Sequence, residues 1–295
     1  MITFFQAVMI GLLQGFTELF PISSLGHSIL IADLFGWSSI ISAQTEKGSF
    51  YLTFLVAVHV ATATALFIFY RKTWYKIIIG LIESINTRSI KTVHQKLAWL
   101  LIIATIPAGI IGLVFESFLR SLFAIPIAAA FFLIINGIIL LIGDALVKRK
   151  NATPAALNMQ DTNRQTALAL TFPKAGIIGA VQTFALIAGI SRSGITMVSG
   201  LFVGLSYEAA ARFSFLLATP IIFLAGIYKL PDLLKVSSRS FLPQTIVGAI
   251  VAGIAAYIAV RFLDKYFQTK RLWPFALYCF IFGGFMVLFT LFTHN

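Results

Sequence analysis

Residues 14–27 read Gln-Gly-Phe-Thr-Glu-Leu-Phe-Pro-Ile-Ser-Ser-Leu-Gly-His and form a polar interruption in an otherwise apolar chain. Residues 189–196, Gly-Ile-Ser-Arg-Ser-Gly-Ile-Thr, form a second interruption. A shift of 168 positions aligns the two regions and repeats six residues. The matched pairs are Gly11 and Gly179, Gln14 and Gln182, Phe16 and Phe184, Ile22 and Ile190, Ser23 and Ser191, and Gly26 and Gly194. This internal similarity predicts two halves of one duplicated unit, each broken by polar residues at the same place.

The composition indicates a membrane protein with several spans. Of the 295 residues, 59% are hydrophobic and 11% are charged, and the mean hydropathy is +0.95, whereas a soluble domain carries about 25% charged residues. The net charge of +12 comes from Lys and Arg that cluster at the ends of apolar runs. This pattern indicates membrane topology and anionic lipid headgroups rather than nucleic acid. The single cysteine, Cys279, excludes a disulfide within the chain.

Several apolar runs are long enough to cross a bilayer as α-helices. The predicted spans cover residues 50–70, 97–115, 122–143, 209–230, 244–263 and 272–292. Basic residues follow the first span at 71–76 and the third at 148–150, so these ends are expected on the cytoplasmic side. Residues 73–96 predict an interfacial amphipathic segment and loop. In this order of spans the C-terminus lies outside.

Two further apolar segments are interrupted before they can span. Residues 2–20 run into a glutamate and a proline, and residues 28–35 are too short to cross at 1.5 Å per residue. We expect these two segments to form a re-entrant hairpin, because non-helical backbone at membrane depth must be surrounded by protein or line a cavity. Residues 167–188 and 194–205 predict a second hairpin of the same kind.

The predicted fold class is therefore an all-α integral membrane protein, an inverted-repeat transmembrane helix bundle with two re-entrant helical hairpins. An odd number of crossings between the repeats gives them opposite orientations. The chain is expected to form a single polytopic membrane domain over residues 1–295. Its first repeat covers about 1–149 and its second about 166–295, and a polar cytoplasmic linker covers about 150–165.

Three ionisable side chains fall in or beside segments at membrane depth. A charged side chain at the centre of a transmembrane helix costs about 2.5–3.5 kcal/mol on insertion scales. Glu18 and Arg192 therefore indicate a functional site more than a structural role. His27 alone could equally be a satisfied core residue, and its place three residues after Ser24 favours a functional role. Gln14 lies one helical turn before Glu18 and points the same way. A carboxylate opposite an arginine can act as a general base or hold a divalent cation against a diphosphate.

The serines that follow each break favour an anion site. Serine is a favoured N-cap, so each return helix is expected to aim free backbone N–H groups and its positive dipole end at the centre. Two such ends that face each other can bind an anion. Arg192 adds a permanent charge with a fork suited to phosphate. We therefore expect an anionic ligand that carries phosphate.

The hydroxyl groups near the breaks leave more than one role open. Ser24 and His27 place a hydroxyl and a base on one helical turn, which is the minimal arrangement for nucleophilic attack. Ser191, Ser193 and Thr196 are further hydroxyls at the second break. Each can bind a substrate oxygen, cap a helix or attack, and the pattern alone does not choose among these roles.

The two motifs resemble the undecaprenyl-diphosphate phosphatase family, the integral-membrane type linked to bacitracin resistance. An E/Q-x-x-x-E run followed by P-x-S-S-x-G-H marks that family and matches residues 14–27. Its second mark, P-G-x-S-R-S-G-x-T, matches residues 188–196 except at Ala188. Shorter similar segments lie at residues 54–59, 106–113 and 213–220. The resemblance is colinear over essentially the whole chain.

This resemblance implies an enzyme that removes one phosphate from undecaprenyl diphosphate on the outer face of the bacterial inner membrane. The reaction regenerates the lipid carrier for peptidoglycan synthesis and lowers the amount of the lipid that bacitracin captures. The resemblance also implies an all-α fold of inverted repeats with two re-entrant hairpins. It further implies that a divalent cation, Mg²⁺ or Ca²⁺, supports activity.

The resemblance also implies roles for individual residues. Glu18 is expected to be the acidic catalytic residue or to support a metal, and Ser24 is the expected nucleophile. His27 is the expected proton-transfer partner, and Arg192 is the expected phosphate clamp. The expected substrate-binding residues are Gln14, Ser23, Gly26, Ser191, Ser193, Gly194 and Thr196.

Two positions depart from the family pattern. Ala188 replaces a proline, so the adjacent Gly189 is left to break the helix with a less rigid entry. Gln14 occupies the first acidic position and carries no charge. A metal bound beside it would have one fewer anionic ligand.

A secondary transporter or lipid flippase for an anionic substrate is the alternative function. Inverted repeats, broken helices and an ionic site near the midplane are typical of transporters as well. A hydroxyl, a base and an acid at one place favour the enzyme, because a transporter needs no nucleophile. The expected partners are a polyprenyl diphosphate lipid and membrane lipids, with no nucleic acid, and a homodimer is left open.

Overall fold

The regular structure of the chain is helical. The computed structural model describes residues 2–37, 50–115, 125–150, 162–229, 241–269 and 271–293, and these ranges contain twelve α-helices and one short 3-10 helix. The helices are α1 (Phe4–Thr17), α2 (Ser24–Leu34), α3 (Phe50–Phe69), α4 (Arg71–Thr87), α5 (Val93–Val114), α6 (Pro126–Lys150), α7 (Thr162–Ala169), α8 (Phe172–Gln182), α9 (Arg192–Phe202), α10 (Tyr207–Lys229), α11 (Leu242–Tyr266) and α12 (Trp273–Thr293). The 3-10 helix covers Thr183–Leu186.

Six of these helices are long and apolar enough to cross a membrane. They are α3, α5, α6, α10, α11 and α12, and each coincides with one predicted span. The chain is therefore a multi-pass integral membrane protein with an all-helical fold, as the composition predicts. Most of the predicted linker falls on residues 151–161, which lie outside the described residues. Residues 162–165 already belong to α7.

The short helices α1 and α2 are joined by a compact turn at residues 18–23. Neither helix is long enough to span alone, because they have 14 and 11 residues. In the second half, α8 and α9 stand in the same relation, with the 3-10 helix and residues 187–191 between them. The structure thus has a break in each half at the places that the sequence predicts.

The sequence predicts one continuous arm over residues 167–188 before the second break. The structure instead divides this region between two helices. Helices α7 and α8 are bent by 98° relative to each other. The bend arises because Thr171 caps the start of α8, where its hydroxyl accepts a hydrogen bond from the backbone N–H of Lys174. Pro173 follows at the first turn, where its missing N–H is not needed.

Helix α4 is amphipathic and follows α3 directly. Its buried face, which includes Trp74 and Ile77, packs against the bundle, while Ile78, Ile82 and Ile85 are exposed. The predicted segment 73–96 therefore contains a helix. Its last residues belong to α5, which begins at Val93 behind a Thr92 capping box.

Glycines allow the two short helices to pack closely on their neighbours. Helix α1 crosses α11, where a Cβ on Gly11 would lie 2.5 Å from the carbonyl oxygen of Gly248. Helix α8 crosses α5, where a Cβ on Gly179 would lie 2.4 Å from the carbonyl oxygen of Ala104. Gly11 and Gly179 are a matched pair in the sequence repeat. The repeated glycine thus has the same physical cause in both halves, which is a backbone contact too close for any side chain.

Candidate active site

The turn after α1 and the turn before α9 contact each other inside the bundle. The Ser23 hydroxyl oxygen accepts hydrogen bonds from the backbone N–H of Gly26 in its own turn and of Gly189 in the other, both at 3.2 Å. The Ser193 hydroxyl donates to the carbonyl oxygen of Phe20 at 3.1 Å. These bonds bring the start of α2 and the start of α9 together in one buried site.

A buried asparagine on α6 links the two turns. Its amide nitrogen donates to the carbonyl oxygen of Pro21 at 2.9 Å, and its amide oxygen accepts from the backbone N–H of Ser191 at 2.9 Å. This residue, Asn136, has no exposed surface. An asparagine in mid-span satisfies polar backbone groups that would otherwise be orphaned at membrane depth.

Serine side chains cap both helices that start at the site. Ser23 accepts from Gly26 N–H and Ser191 accepts from Gly194 N–H, so each caps one orphan donor of its helix. Ser23 has a φ of 70°, a left-handed conformation that is rare for a serine. Strain of this kind is concentrated at functional sites, where the surrounding contacts fix it.

The carboxylate of Glu18 is the centre of the site. Its Oε2 atom accepts a hydrogen bond from the Ser24 hydroxyl at 2.6 Å and one from the Gln14 amide at 3.1 Å. His59 on α3 places its Nε2 atom 3.3 Å from the same oxygen. The side chain is 7% exposed. A buried carboxylate is tolerated here because several donors surround it.

Arg192 binds the other oxygen of this carboxylate. Its Nη2 and Nε atoms lie 3.1 Å and 3.4 Å from Glu18 Oε1, and its Nη1 atom donates to the carbonyl oxygen of Ser214 at 3.0 Å. A guanidinium has five N–H donors, so these contacts leave two N–H groups for a ligand. The fixed planar fork places a permanent positive charge at the start of α9.

The hydrogen bonds of His59 determine its protonation. Its Nδ1 atom lies 2.7 Å from the carbonyl oxygen of Leu55, which only accepts, so Nδ1 carries a hydrogen. The Nε2 atom faces the Glu18 carboxylate, which also accepts only. A proton on Nε2 would make this contact a charge-assisted hydrogen bond. The imidazole thus lies where it could hold a proton beside the Ser24–Glu18 pair.

These side chains line a cavity of about 340 Å³. Its polar lining residues are Glu18, Ser23, Ser24, His59, Gln182, Ser191 and Arg192. An adjoining apolar groove of about 410 Å³ shares six lining residues with it: Leu52, Val56, Ala108, Leu186, Ile221 and Ala225. The groove extends to Leu113 and Lys229, at the ends of α5 and α10. A polar head and an apolar tail of one molecule can therefore occupy continuous space.

Comparison with known proteins identifies the family of this chain. Residues 7–285 match the family model described as bacitracin resistance protein BacA. The chain belongs to the BacA family. The matched range contains both polar turns and all the residues around Glu18.

Relatives in the BacA family cover nearly the full length of the chain. The undecaprenyl-diphosphatase 2 of Frankia alni is 46% identical, over 96% of each chain. The undecaprenyl-diphosphatase of Mycolicibacterium paratuberculosis is 45% identical over the same shares. The undecaprenyl-diphosphatase 2 of Burkholderia thailandensis is 42% identical over 94% of each chain.

The imidazole of His27 bonds groups other than Ser24 in the structure, and its expected role as the proton-transfer partner stays a prediction. Its Nδ1 atom bonds the carbonyl oxygen of Ser23 at 2.8 Å, and its Nε2 atom bonds the Tyr278 hydroxyl at 2.7 Å. The ring also stacks on Phe282, with centroids 5.1 Å apart. The bonds to the Ser23 carbonyl oxygen and to Tyr278 hold the imidazole against α12, and His27 does not line the cavity. The Ser24 hydroxyl bonds Glu18.

The predicted substrate-binding residues divide into cavity residues and supporting residues. Ser23 and Ser191 line the cavity, whereas Gln14, Gly26, Ser193, Gly194 and Thr196 are not among its lining residues. Thr196 bonds backbone carbonyl groups of its own helix and lies 2.6 Å from the Ser214 hydroxyl oxygen. A Cβ on Gly26 would lie 2.9 Å from the backbone of Gly189. These residues shape the two turns that carry the site.

Sequence reasoning missed three residues of the site. His59 stands in a segment that resembles the BacA family, and an ionisable residue in mid-span was a usable signal. Gln182 is the repeat partner of Gln14, and that match placed it at the equivalent position in the second half. Asn136 is a polar residue within an apolar span of 22 residues, which was also visible in the sequence.

The donor set does not fit a resident metal ion. Within the described ranges, no three His, Cys, Asp or Glu side chains gather closely enough to hold one. Among the described residues, Glu18 is the single carboxylate that lines the cavity, and both its oxygens already accept hydrogen bonds. The adjacent guanidinium of Arg192 would repel a cation at this carboxylate, and Mg²⁺ and Ca²⁺ favour several oxygen ligands.

Proposed function

We propose that this protein hydrolyses undecaprenyl diphosphate to undecaprenyl phosphate and phosphate at the outer side of the bacterial inner membrane. The observation that carries the proposal is the 2.6 Å hydrogen bond from Ser24 to Glu18 in a cavity that also contains Arg192. A hydroxyl that donates to a buried carboxylate is prepared for nucleophilic attack. The BacA family membership supports the reaction, since the relatives named above are undecaprenyl-diphosphatases.

The geometry supports a two-step displacement. The Ser24 oxygen attacks the terminal phosphorus, its proton passes to Glu18 Oε2, and the bond to the bridging oxygen breaks. Undecaprenyl phosphate leaves, and its former bridging oxygen takes the proton from Glu18. Water then attacks the serine phosphate and gives one proton to Glu18. Phosphate is released as the proton returns to the serine oxygen, which restores the starting state.

Arg192 and the helix starts stabilise the transferred phosphate in this mechanism. The guanidinium has two N–H groups left after its bonds to Glu18 and Ser214, and these can bind two phosphate oxygens. The starts of α2 and α9 add backbone N–H groups and dipole ends at the same place. Phosphoryl transfer depends mainly on such positioning and charge stabilisation.

The apolar groove beside the cavity suits the polyprenyl chain. Its lining is almost entirely aliphatic, and it ends at Leu113 and Lys229. These helix ends lie opposite the basic ends at residues 71–76 and 261–265, which the positive-inside rule assigns to the cytoplasm. We therefore propose that the substrate enters from the outer leaflet. Its hydrolysis recycles the lipid carrier for peptidoglycan synthesis and lowers the amount available to bacitracin.

We propose that the two halves form inverted repeats of one membrane domain, over about 1–149 and 166–295. The equivalent crossings of α1 with α11 and of α8 with α5 at Gly11 and Gly179 support this proposal.

A homodimer of this protein is a further proposal. Light scattering in detergent solution, with the bound detergent subtracted, gives the mass of the purified protein. This mass distinguishes one copy of the chain from two.

A divalent cation is proposed as a companion of the substrate rather than as a resident metal. The oxygens of a diphosphate can supply most ligands of Mg²⁺ or Ca²⁺. We expect a chelator to lower the rate and added Mg²⁺ to restore it. A rate of phosphate release that does not change with the chelator would reject the proposed cation but not the proposed phosphatase activity.

The proposed function is tested by phosphate release from undecaprenyl diphosphate by the purified protein. Wild type is expected to release one phosphate per substrate and leave undecaprenyl phosphate. Glu18→Gln and Arg192→Ala are expected to lose at least about a hundredfold in kcat, as is typical when a general base or a charge-stabilising group is removed. Failure of the wild type to release phosphate, or full activity in both variants, would reject the proposed function.

A further inference from the structure

Gln182 is a buried amide at the catalytic cavity with no hydrogen-bond partner. It is the last residue of α8 and is 2% exposed. In the part of the chain that the structure describes, neither its amide nitrogen nor its amide oxygen is bonded to protein. It lines the same cavity as Glu18, Ser24 and Arg192. The mechanism above does not use it.

An amide without partners is costly in a buried site. Leaving a buried donor or acceptor unsatisfied costs about 1–3 kcal/mol, and the large majority of buried polar side-chain atoms have a partner. An apolar residue of the same size would avoid this cost. The amide at Gln182 therefore indicates a partner that arrives from the cavity.

The repeat partner of Gln182 shows what kind of group this amide faces. In the first half, the Gln14 amide donates to the carboxylate of Glu18, one helical turn later. In the second half, the residue one turn after Gln182 is Leu186, which offers no anion. The Gln182 amide thus has N–H donors but no carboxylate one turn later to accept their hydrogen bonds. An anionic oxygen of a ligand can take that place.

We propose that the Gln182 side-chain amide donates a hydrogen bond to a phosphate oxygen of the bound lipid diphosphate. It is thus a further substrate-binding residue, which lines the same cavity as the Ser24–Glu18 pair. Leu186, one turn further on, lines both the polar cavity and the apolar groove. Gln182 therefore lies where the polar head of the lipid meets its tail. This inference rests on the proposed function.

The test compares Gln182→Met and Gln182→Glu with wild type, using undecaprenyl diphosphate as substrate. Met has nearly the size of Gln and removes both polar atoms, so KM is expected to rise at least about 10-fold while the thermal unfolding temperature holds or increases. Glu keeps the shape but adds a negative charge that repels the diphosphate, so kcat/KM is expected to fall further than in Gln182→Met.

Thr219→Val is the matched control. Thr219 also has a buried polar atom without a partner in the described residues, but it does not line the cavity. Its replacement is expected to leave KM and kcat unchanged. If Gln182→Met folds and keeps the wild-type KM, a water molecule satisfies the amide and the inference is wrong. If Gln182→Met does not fold, a wild-type KM in Gln182→Glu overturns it equally.

These outcomes are separate from failure of the proposed function. An inactive wild type rejects the phosphatase itself. An active wild type, with Gln182→Met and Gln182→Glu both at its KM, rejects only the contact made by Gln182.

Discussion

At the scale of single residues, the site depends on one carboxylate that is shared by both halves. Glu18 comes from the first half and Arg192 from the second, and they lie 3.1 Å apart. Ser24 reaches the same carboxylate although six residues separate it from Glu18. The strained backbone at Ser23 turns the chain back so that the hydroxyl can approach. The Ser24 hydroxyl and the Glu18 carboxylate are thus brought together by a turn, and helical spacing alone does not bring them together.

The contacts of His27 predict that it positions the site without transferring protons. His27→Gln loses the stacking on Phe282 and weakens the bond to the Ser23 carbonyl group. We expect a lower thermal unfolding temperature and a lower kcat, with a pH–kcat profile of unchanged shape.

Tyr278→Phe is the control for this prediction, because it removes one hydrogen-bond partner of His27 and leaves the imidazole in place. It is expected to show the same pattern with a smaller loss. Disappearance of one limb of the pH profile in His27→Gln alone would restore the proton-transfer role that the family motif implies.

The sequence predicted the members of this site better than their contacts. Glu18, Ser24 and Arg192 follow from the cost of polar groups in a membrane and from two motifs. Sequence spacing places His27 beside Ser24 but does not report the hydrogen bond that turns the His27 ring towards Tyr278. His59 was missed because its partner, Glu18, lies on another helix, and single-sequence patterns do not report contacts between distant segments.

At the scale of helices, close crossings fix the position of each short helix. The helices α1 and α8 cannot span the bilayer, so their packing on α11 and α5 holds them at depth. Small residues at such crossings let the backbones approach. Gly11 and Gly179 are these residues, and they recur in the repeat for that reason.

Alanine at either crossing glycine is therefore expected to destabilise the protein. A Cβ at Gly11 or Gly179 would lie 2.4–2.5 Å from a backbone carbonyl oxygen, and overpacking of this kind costs about 1–3 kcal/mol. Thermal unfolding in detergent should show a lower midpoint for Gly11→Ala and for Gly179→Ala.

The control for these variants is Gly284→Ala, because nothing lies within 4 Å of its added Cβ. It should unfold at or above the wild-type temperature, since alanine favours a helix more than glycine does. Equal midpoints in all three variants would show that the crossings tolerate a methyl group.

The positions of the long helices could be predicted from the sequence, because the length of an apolar run decides them. The described residues contain six helices that are long and apolar enough to span, at the predicted places. The bend between α7 and α8 was not predicted, since Thr171 and Pro173 were read as part of one apolar arm. Their capping signal was present but was outweighed by the hydropathy of the segment.

At the scale of the whole molecule, the distribution of charge orients the bundle. Basic residues cluster at the ends of α4 and α11, and the apolar groove opens near the opposite ends of α5 and α10. With the basic ends on the cytoplasmic side, as we propose, the groove would open towards the outer leaflet. This orientation is a prediction from the sequence, because the positive-inside rule needs only spans and loop charges.

The orientation can be tested by cysteine labelling on intact bacterial cells. A membrane-impermeant maleimide should label Thr293→Cys, at the exposed end of α12, and should label Thr87→Cys, at the exposed end of α4, only after lysis. Wild type is the control, because its single cysteine, Cys279, is buried and should not react. Labelling of Thr87→Cys in intact cells, with no labelling of Thr293→Cys, would show that the topology is opposite to the one proposed.

The most direct test of the account is the turnover number of Ser24→Ala on undecaprenyl diphosphate. Ser28→Ala is its control, because Ser28 is buried one turn later, its hydroxyl donates to the Leu25 carbonyl oxygen, and it does not line the described cavity. We predict that Ser24→Ala binds the substrate as wild type does but loses at least about a thousandfold in kcat, while Ser28→Ala keeps a near-normal kcat. A Ser24→Ala protein that releases phosphate at close to the wild-type rate would contradict attack by Ser24.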